Sequence, residues 1–254
     1  MAYLDSAGPI ALAHRGFSLD GSENSMAAFA AAVALGCRYV ETDVHATSDG
    51  VAVAFHDATL DRVTDRSGRV ADQPWAQVRR ARIAGREPVP ALEDLLGTWP
   101  DLHVNIDVKS AGGILPTVEV IERTASHDRV CLASFSDARR RAVLRRLSRP
   151  VTTSGGTRTT ASFRAATAAG SARAVSRALR DVDCLQVPER FGRVPVVTEA
   201  TVRAAHRAGV QVHVWTVNDP VDMRRLLDLG VDGIVSDRAD LLRDVLVERG
   251  QWAG

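Results

Sequence analysis

Short apolar runs alternate with longer amphipathic stretches almost without interruption along the chain. The run Ile10 to Ala13 predicts a first strand, and the alanine-rich stretch 25–35 predicts a helix that Gly36 terminates. Residues 38–44 predict a second strand. After it, Ser48-Asp49-Gly50 favours a tight turn that returns the chain as an added strand over 51–56. Residues 58–89 are polar and broken by Gly68, Pro74, Gly85 and Pro88, which predicts a small excursion with one short helix over 75–82. Beyond it, helices are predicted over 91–97, 115–126, 137–147, 160–180, 198–208, 220–229 and 238–248. They alternate with strands over 103–109, 129–134, 151–154, 182–187, 210–216 and 231–236. With the 51–56 strand set aside, eight strands are each followed by helical sequence. That is an α/β chain of the length and order of a single TIM, or (β/α)8, barrel over 1–254, with the short insertion 58–89 after the second strand region. A doubly wound open sheet is the alternative, but no G-x-G-x-x-G follows the first strand and polar clusters close strands throughout.

Composition narrows the partners. A formal net charge of +1 gives no general attraction to nucleic acid or to an anionic membrane. No run approaches the roughly 18 apolar residues of a membrane span, and residues 1–16 lack the layout of a signal peptide, so the reading is cytoplasmic with no stable membrane insertion. Cys37, Cys131 and Cys184 are widely separated in apolar contexts, which suits reduced, buried thiols. Among 32 basic residues Lys109 is the single lysine, so a compact ammonium is expected to matter there.

In a TIM barrel the active site lies at the C-terminal ends of the strands. His14 and Arg15 close the first strand, Glu41 and Asp43 the second, His56 and Asp57 the added strand, and Asp107 and Lys109 the third. Phe135, Gln186, Trp215 and Asp237 close later strands. Residues two apart on a strand share a face, so Glu41 projects with Asp43 and Asp107 with Lys109. Three carboxylates suit a hard cation, Mg²⁺ or Ca²⁺, better than zinc. Arg15 and Lys109 suit a phosphate, and a pair of histidines on opposite sides of phosphorus suits proton transfer to and from oxygen. The composite is a metal-assisted phosphodiesterase acting on a small molecule. Phe135 and Trp215 serve either as rim packing or as substrate contacts. His45, His103, His127, His206 and His213 are read as structural or surface residues.

The motifs HRG, SEN, AAF, ETDVHATSDGVAVAFHDATLDRVTDRSGRV, VPALEDLL, NIDVK, VHVWTVND and VDGIVSDRADLL resemble, in order and over nearly the whole chain, the glycerophosphodiester phosphodiesterase family. The resemblance implies a TIM barrel and hydrolysis of glycerophosphodiesters to glycerol 3-phosphate and an alcohol with a divalent cation, an activity of glycerol and lipid metabolism. It implies His14 and His56 as the acid/base pair, Arg15 and Lys109 on phosphate, and Glu41, Asp43 and Asp107 on metal. Glu23 and Asn24 match the family's Pro-Glu-Asn turn beside the site, with Ser22 in place of the proline. Asp107 stands where the family usually has Glu, one methylene longer. Glu189 or Arg190 is placed at the alcohol pocket. Two other readings stand beside this one: lysophospholipase D-like action on lysophospholipids, which needs an apolar groove at the mouth, and a non-catalytic phosphate-binding barrel, against which both histidines argue.

Overall fold

Strands that are buried on both faces need helices around them, and the alternation in the sequence supplies one after each. In the computed structural model, which describes residues 2–253, the first part of the chain runs β1 (Ile10–Ala13), α1 (Met26–Ala34), β2 (Tyr39–Ala46), β3 (Ala52–Ala54), α2 (Trp75–Val78), β4 (Arg82–Ile83), β5 (Glu87–Pro88), α3 (Leu92–Thr98), β6 (His103–Val108) and α4 (Ile114–Arg123). It continues through β7 (Val130–Ala133), α5 (Asp137–Leu144), β8 (Thr152–Thr153), α6 (Thr157–Ala168), α7 (Ala172–Leu179), β9 (Cys184–Pro188), β10 (Arg190–Phe191) and β11 (Val194–Pro195). The last elements are α8 (Glu199–Arg207), β12 (Gln211–Trp215), α9 (Pro220–Asp228), β13 (Gly233–Ser236) and α10 (Ala239–Glu248).

Eight strands pair in parallel in the order β8-β7-β6-β2-β1-β13-β12-β9, and β3 adds to β2 antiparallel. The two ends of this path meet through a parallel bridge between Ser154 and Cys184, with Asp183 N–H donating to Thr153 O at 2.9 Å and Gly155 N–H to Cys184 O at 3.1 Å. The result is a TIM barrel, nearly closed, with its weakest seam between β8 and β9.

The barrel floor explains why the site is confined to one end. Leu12, Tyr39, Cys131, Cys184 and Val235 fill the interior, and Tyr3, fully buried, packs into the same cluster from the N-terminal segment. Its ring lies edge-on to Tyr39 at 5.3 Å, and the Tyr39 hydroxyl donates to the Tyr3 carbonyl at 3.0 Å. A large apolar side chain buried in this way stabilises the fold by on the order of 1.5–3 kcal/mol. All three cysteines are free and buried, as their apolar contexts imply. Among the described residues no helix is long and apolar enough to cross a membrane.

Three local departures from the sequence reading have physical causes. The helical region 160–180 breaks into α6 and α7 because Gly170 adopts a left-handed φ of +65° and the Ser171 hydroxyl caps the new helix at Ala174 N–H. Segment 58–89 contains the expected helix α2, but it also folds a hairpin, β4–β5. Leu60, Val70, Val78, Ala81, Ile83 and Val89 give that segment its own apolar cluster against Val53 and Phe55. A second hairpin, β10–β11, follows β9 and stands at the barrel mouth.

Candidate active site

Backbone pairing builds the centre of the site. In the register of β2 and β6, Glu41 lies opposite Asn105 and Asp43 opposite Asp107. With one face shared at every second residue, these four side chains form a grid of oxygen acceptors on the inner wall, all of them buried. Lys109 N–H donates to Val44 O at 3.0 Å, and its ammonium reaches back to Asp43 Oδ1 and Asp107 Oδ2, each at 2.7 Å. A planar guanidinium has no comparable way to sit between two carboxylates as a compact point charge. Burial lowers the Lys109 pKa, but the charges of Asp107 and Asp43 outweigh it and push it up to about 12.

The loop after β1 brings the second cation. Arg15 takes a left-handed φ of +56°, and Gly16 follows at +81°, where a Cβ would lie 2.7 Å from the Ala28 carbonyl carbon. This tight passage against α1 directs the Arg15 side chain to Asp43 Oδ2 (Nε, 3.0 Å) and Glu23 Oε1 (Nη1, 2.8 Å). Asn24 is almost completely buried. It accepts from Thr42 Oγ1 at 2.7 Å and donates to Asp43 Oδ2 at 3.1 Å.

Each histidine at the mouth is fixed by a carboxylate. His14 Nδ1 lies 2.6 Å from Asp237 Oδ1, and Asn218 Nδ2 donates to the other oxygen of Asp237 at 2.8 Å. His56 Nδ1 lies 2.5 Å from Asp57 Oδ1. A carboxylate only accepts, so Nδ1 carries the proton in both rings, and Nε2 is the nitrogen left to exchange one. For His14, burial works to lower the pKa, but the Asp237 hydrogen bond and the Glu41 charge raise it overall. Arg62 donates to Asp57 from Nε at 2.6 Å and to Glu23 from Nη1 at 3.0 Å and Nη2 at 2.7 Å. Its hydrogen bond is the main reason that the Asp57 carboxyl falls to about 2. A chain of alternating charge therefore runs from Asp43 through Arg15, Glu23, Arg62 and Asp57 to His56.

These groups open on one cavity of about 410 Å³. His14, Arg15, Glu41, Asp43, His56, Asp107, Lys109, Phe135, Gln186 and Trp215 all line it. Glu23 and Asn24 stand behind the wall, where they hold Arg15 and Asp43. Glu189 and Arg190 do not reach it either: Glu189 pairs with Arg225 of α9 at 2.8 Å, and Arg190 closes its own hairpin on the Arg193 carbonyl. Phe191 of that hairpin lines the cavity instead. Phe135 and Trp215 pack edge to face at 5.7 Å, with the Lys109 ammonium 5.3 Å from the Phe135 ring centre. The sequence reading did not single out Arg62 or Asn218, and their contacts depend on partners brought close only by the fold. Of the remaining histidines, His45, His127 and His213 are buried and His206 pairs with Asp232 on the surface.

The donor set bears on a cation. Among the described residues no three His, Cys, Asp or Glu side chains are already gathered as a metal cluster; the Lys109 ammonium stands between Asp43 and Asp107. Nevertheless, Asp107 Oδ1 is buried with no hydrogen-bond partner, as is Asn105 Oδ1. Glu41, buried beside Asp43, has its pKa raised by desolvation first and by the Asp43 charge second. A wall of oxygen ligands with more acceptors than donors fits a hard divalent ion.

A family profile described as the glycerophosphoryl diester phosphodiesterase family matches residues 14–241. A Mycobacterium tuberculosis protein named probable glycerophosphodiester phosphodiesterase 2 is 51% identical over 253 residues, 99% of this chain and 96% of that one. The glycerophosphodiester phosphodiesterase of Caldanaerobacter subterraneus subsp. tengcongensis is 30% identical over 95% of this chain and 98% of its own. Among solved structures, an Oleispira antarctica phosphodiesterase in complex with the product sn-glycerol-3-phosphate superposes with a TM-score of 0.79 at 22% identity, over 96% of this chain and all of that one. A glycerophosphodiester phosphodiesterase from Agrobacterium tumefaciens gives 0.75 at 22% identity, over 94% of this chain and 99% of that one.

Proposed function

The chain belongs to the glycerophosphoryl diester phosphodiesterase family, and from that premise we propose that it hydrolyses glycerophosphodiesters to glycerol 3-phosphate and an alcohol, with His14 and His56 as the acid/base pair. One observation carries the reading. Two histidines, each held at Nδ1 by a carboxylate, face a single cavity that also presents Arg15 and Lys109.

In this mechanism Arg15 and Lys109 bind the non-bridging oxygens of the phosphate. A water oxygen attacks phosphorus while one histidine takes the water proton at Nε2. The bond from phosphorus to the alcohol oxygen breaks, and the other histidine delivers its Nε2 proton to that oxygen. The two rings finish with their protonation exchanged and reset through solvent. Asp237 and Asp57 hold the rings in the tautomer that both transfers require. Glu41, Asp43 and Asp107 would hold a divalent cation, Mg²⁺ or Ca²⁺, which when bound supplies charge neutralisation at the phosphoryl oxygens. Phe135, Gln186 and Trp215 shape the rest of the cavity around the substrate. Residues 1–254 act as one domain in this reading, with insertion 58–89 beside the site, and the small dissolved diester is met in the cytoplasm.

A second reading has an observation of its own. Phe135 and Phe191 are 56% and 75% exposed while lining the cavity, with Val187 and Val196 below them, so an apolar wall adjoins the site. That wall suits the chain of a lysophospholipid. The two readings separate in one assay of glycerophosphocholine, glycerophosphoethanolamine and lysophosphatidylcholine, with Mg²⁺ or Ca²⁺ and after exhaustive EDTA treatment. Glycerol 3-phosphate from the two diesters is expected to form faster than lysophosphatidate from the lysolipid, and both to be lost with the metal. Preference for the lysolipid moves the substrate class to the second reading, and activity that survives complete metal removal sinks the cation.

A further inference from the structure

We propose that Arg164 and Gln186 form a subsite for an anionic group, a carboxylate or a phosphate, carried on the alcohol arm of the diester. The inference rests on the hydrolytic reading and deepens it by naming the class of alcohol. Two arginines line the cavity, and their circumstances differ. Arg15 is committed to Glu23 and Asp43. Arg164, half-buried on α6, has no hydrogen-bond or ion-pair partner among the described residues. On the same cavity, the Gln186 amide nitrogen is buried with no acceptor within reach. Buried donors are normally satisfied, so the Gln186 nitrogen, together with the uncommitted and partly solvated charge of Arg164 on the same cavity, points to a ligand rich in acceptors.

The walls support the same sign of charge. The carboxylates that line the cavity are Glu41, Asp43 and Asp107, all in the oxygen grid at the phosphate end. Apart from that grid the lining holds no carboxylate: with Arg164 on α6 come Thr157, Thr160 and Ala161, and Val187, Val196 and Phe191 complete an uncharged wall that offers an ammonium no counter-charge. Aromatic faces are an alternative means of holding a quaternary ammonium. The Phe135 ring already has the Lys109 ammonium 5.3 Å from its centre, which leaves Trp215 and Phe191 as the faces open to such a group. The helix that carries Arg164 is fixed at its start, because the first turn of α6 is anchored on buried Asp137, which accepts from the N–H groups of Gly156, Arg158 and Thr159. Glycerol is neutral and the scissile phosphate is assigned to Arg15 and Lys109, so in this proposal the negative charge that meets Arg164 comes with the alcohol.

Glycerophosphoserine and glycerophosphoethanolamine differ only by a carboxylate and make a matched pair for the test. The wild-type protein is expected to favour the serine diester in kcat/KM by about tenfold, the worth of one charge-assisted hydrogen bond in a partly screened site. Arg164→Gln brings the ratio close to one, Arg164→Glu inverts it, and Arg164→Lys keeps part of it, while melting temperatures report that all three variants are folded. An ethanolamine preference in the wild type, or a ratio that Arg164→Gln leaves unchanged, overturns the subsite and leaves the hydrolytic reading intact. If the wild-type protein hydrolyses neither diester, nor glycerophosphocholine, the hydrolytic reading falls and the subsite falls with it.

Discussion

At the scale of single residues, the site is a set of charges that fix one another. Asp237 does not itself line the cavity, yet it sets the tautomer of His14, and Asn218 in turn holds Asp237. Asp237→Asn keeps the shape but replaces an acceptor-only carboxylate by an amide that can also donate to Nδ1, so the proton is no longer held there. It is expected to lower kcat at least about tenfold with KM changed much less, as steady-state kinetics would show. An equal effect on KM alone would mean that Asp237 serves binding. Much of this layer was legible in the sequence, because period-two strands put Glu41 with Asp43 and Asp107 with Lys109 whatever the rest of the chain does. The lone lysine was legible too, although as a phosphate ligand; its present contacts to Asp43 and Asp107 depend on the β2–β6 register. Asn24 illustrates the limit. Its motif was visible, but that both ends of its amide are taken by Thr42 and Asp43 follows only from the fold.

At the scale of elements, insertion 58–89 is tied to the site by Arg62. This residue follows β3, pairs with Asp57 beside His56, and reaches Glu23, 39 residues earlier in the chain. Nothing in the local pattern marks it out, since the surrounding stretch holds several arginines that point elsewhere. Arg62→Ala is expected to reduce kcat by several-fold while leaving the melting temperature nearly unchanged, because the side chain is half exposed and surface pairs contribute about 0–1 kcal/mol. A large drop in melting temperature would make Arg62 a staple of the insertion. The strand and helix order was readable from apolar periodicity. The hairpins β4–β5 and β10–β11 were not, because each of their strands is two residues long and leaves no periodic signal.

For the whole molecule, the buried polar groups of the barrel make stability depend on pH. His213 is fully buried, and desolvation lowers its pKa to about 4 from an ordinary 6.5. Below pH 6.5 the unfolded chain binds this proton and the folded one does not, so the stability it contributes at neutral pH is lost as pH falls from 6.5 towards 4. The full difference is roughly 3 kcal/mol. Burial lowers the pKa of His45 and His103 as well, which adds in the same direction. Because the raised pKa values of Glu41 and His14 act in the opposite direction over the same window, the His213 contribution is read as a difference: in urea titrations between pH 7.5 and 4.5, His213→Asn is expected to lose stability relative to its own value at pH 7.5 by less than the wild type does, or to gain by more; an identical pH profile in the variant would assign the dependence to other groups. Eight alternating units made the barrel legible from sequence alone, while its seam between β8 and β9 was not, because closure there rests on a bridge between single residues.

The central claim is that His14 and His56 together move the protons of diester hydrolysis. Its most direct test is the initial rate of glycerol 3-phosphate release from glycerophosphoethanolamine at saturating Mg²⁺ or Ca²⁺ by the wild-type protein, His14→Ala and His56→Ala. Each variant is expected to lose about 10²- to 10⁴-fold in kcat while remaining folded. Undiminished turnover in either one would contradict the account.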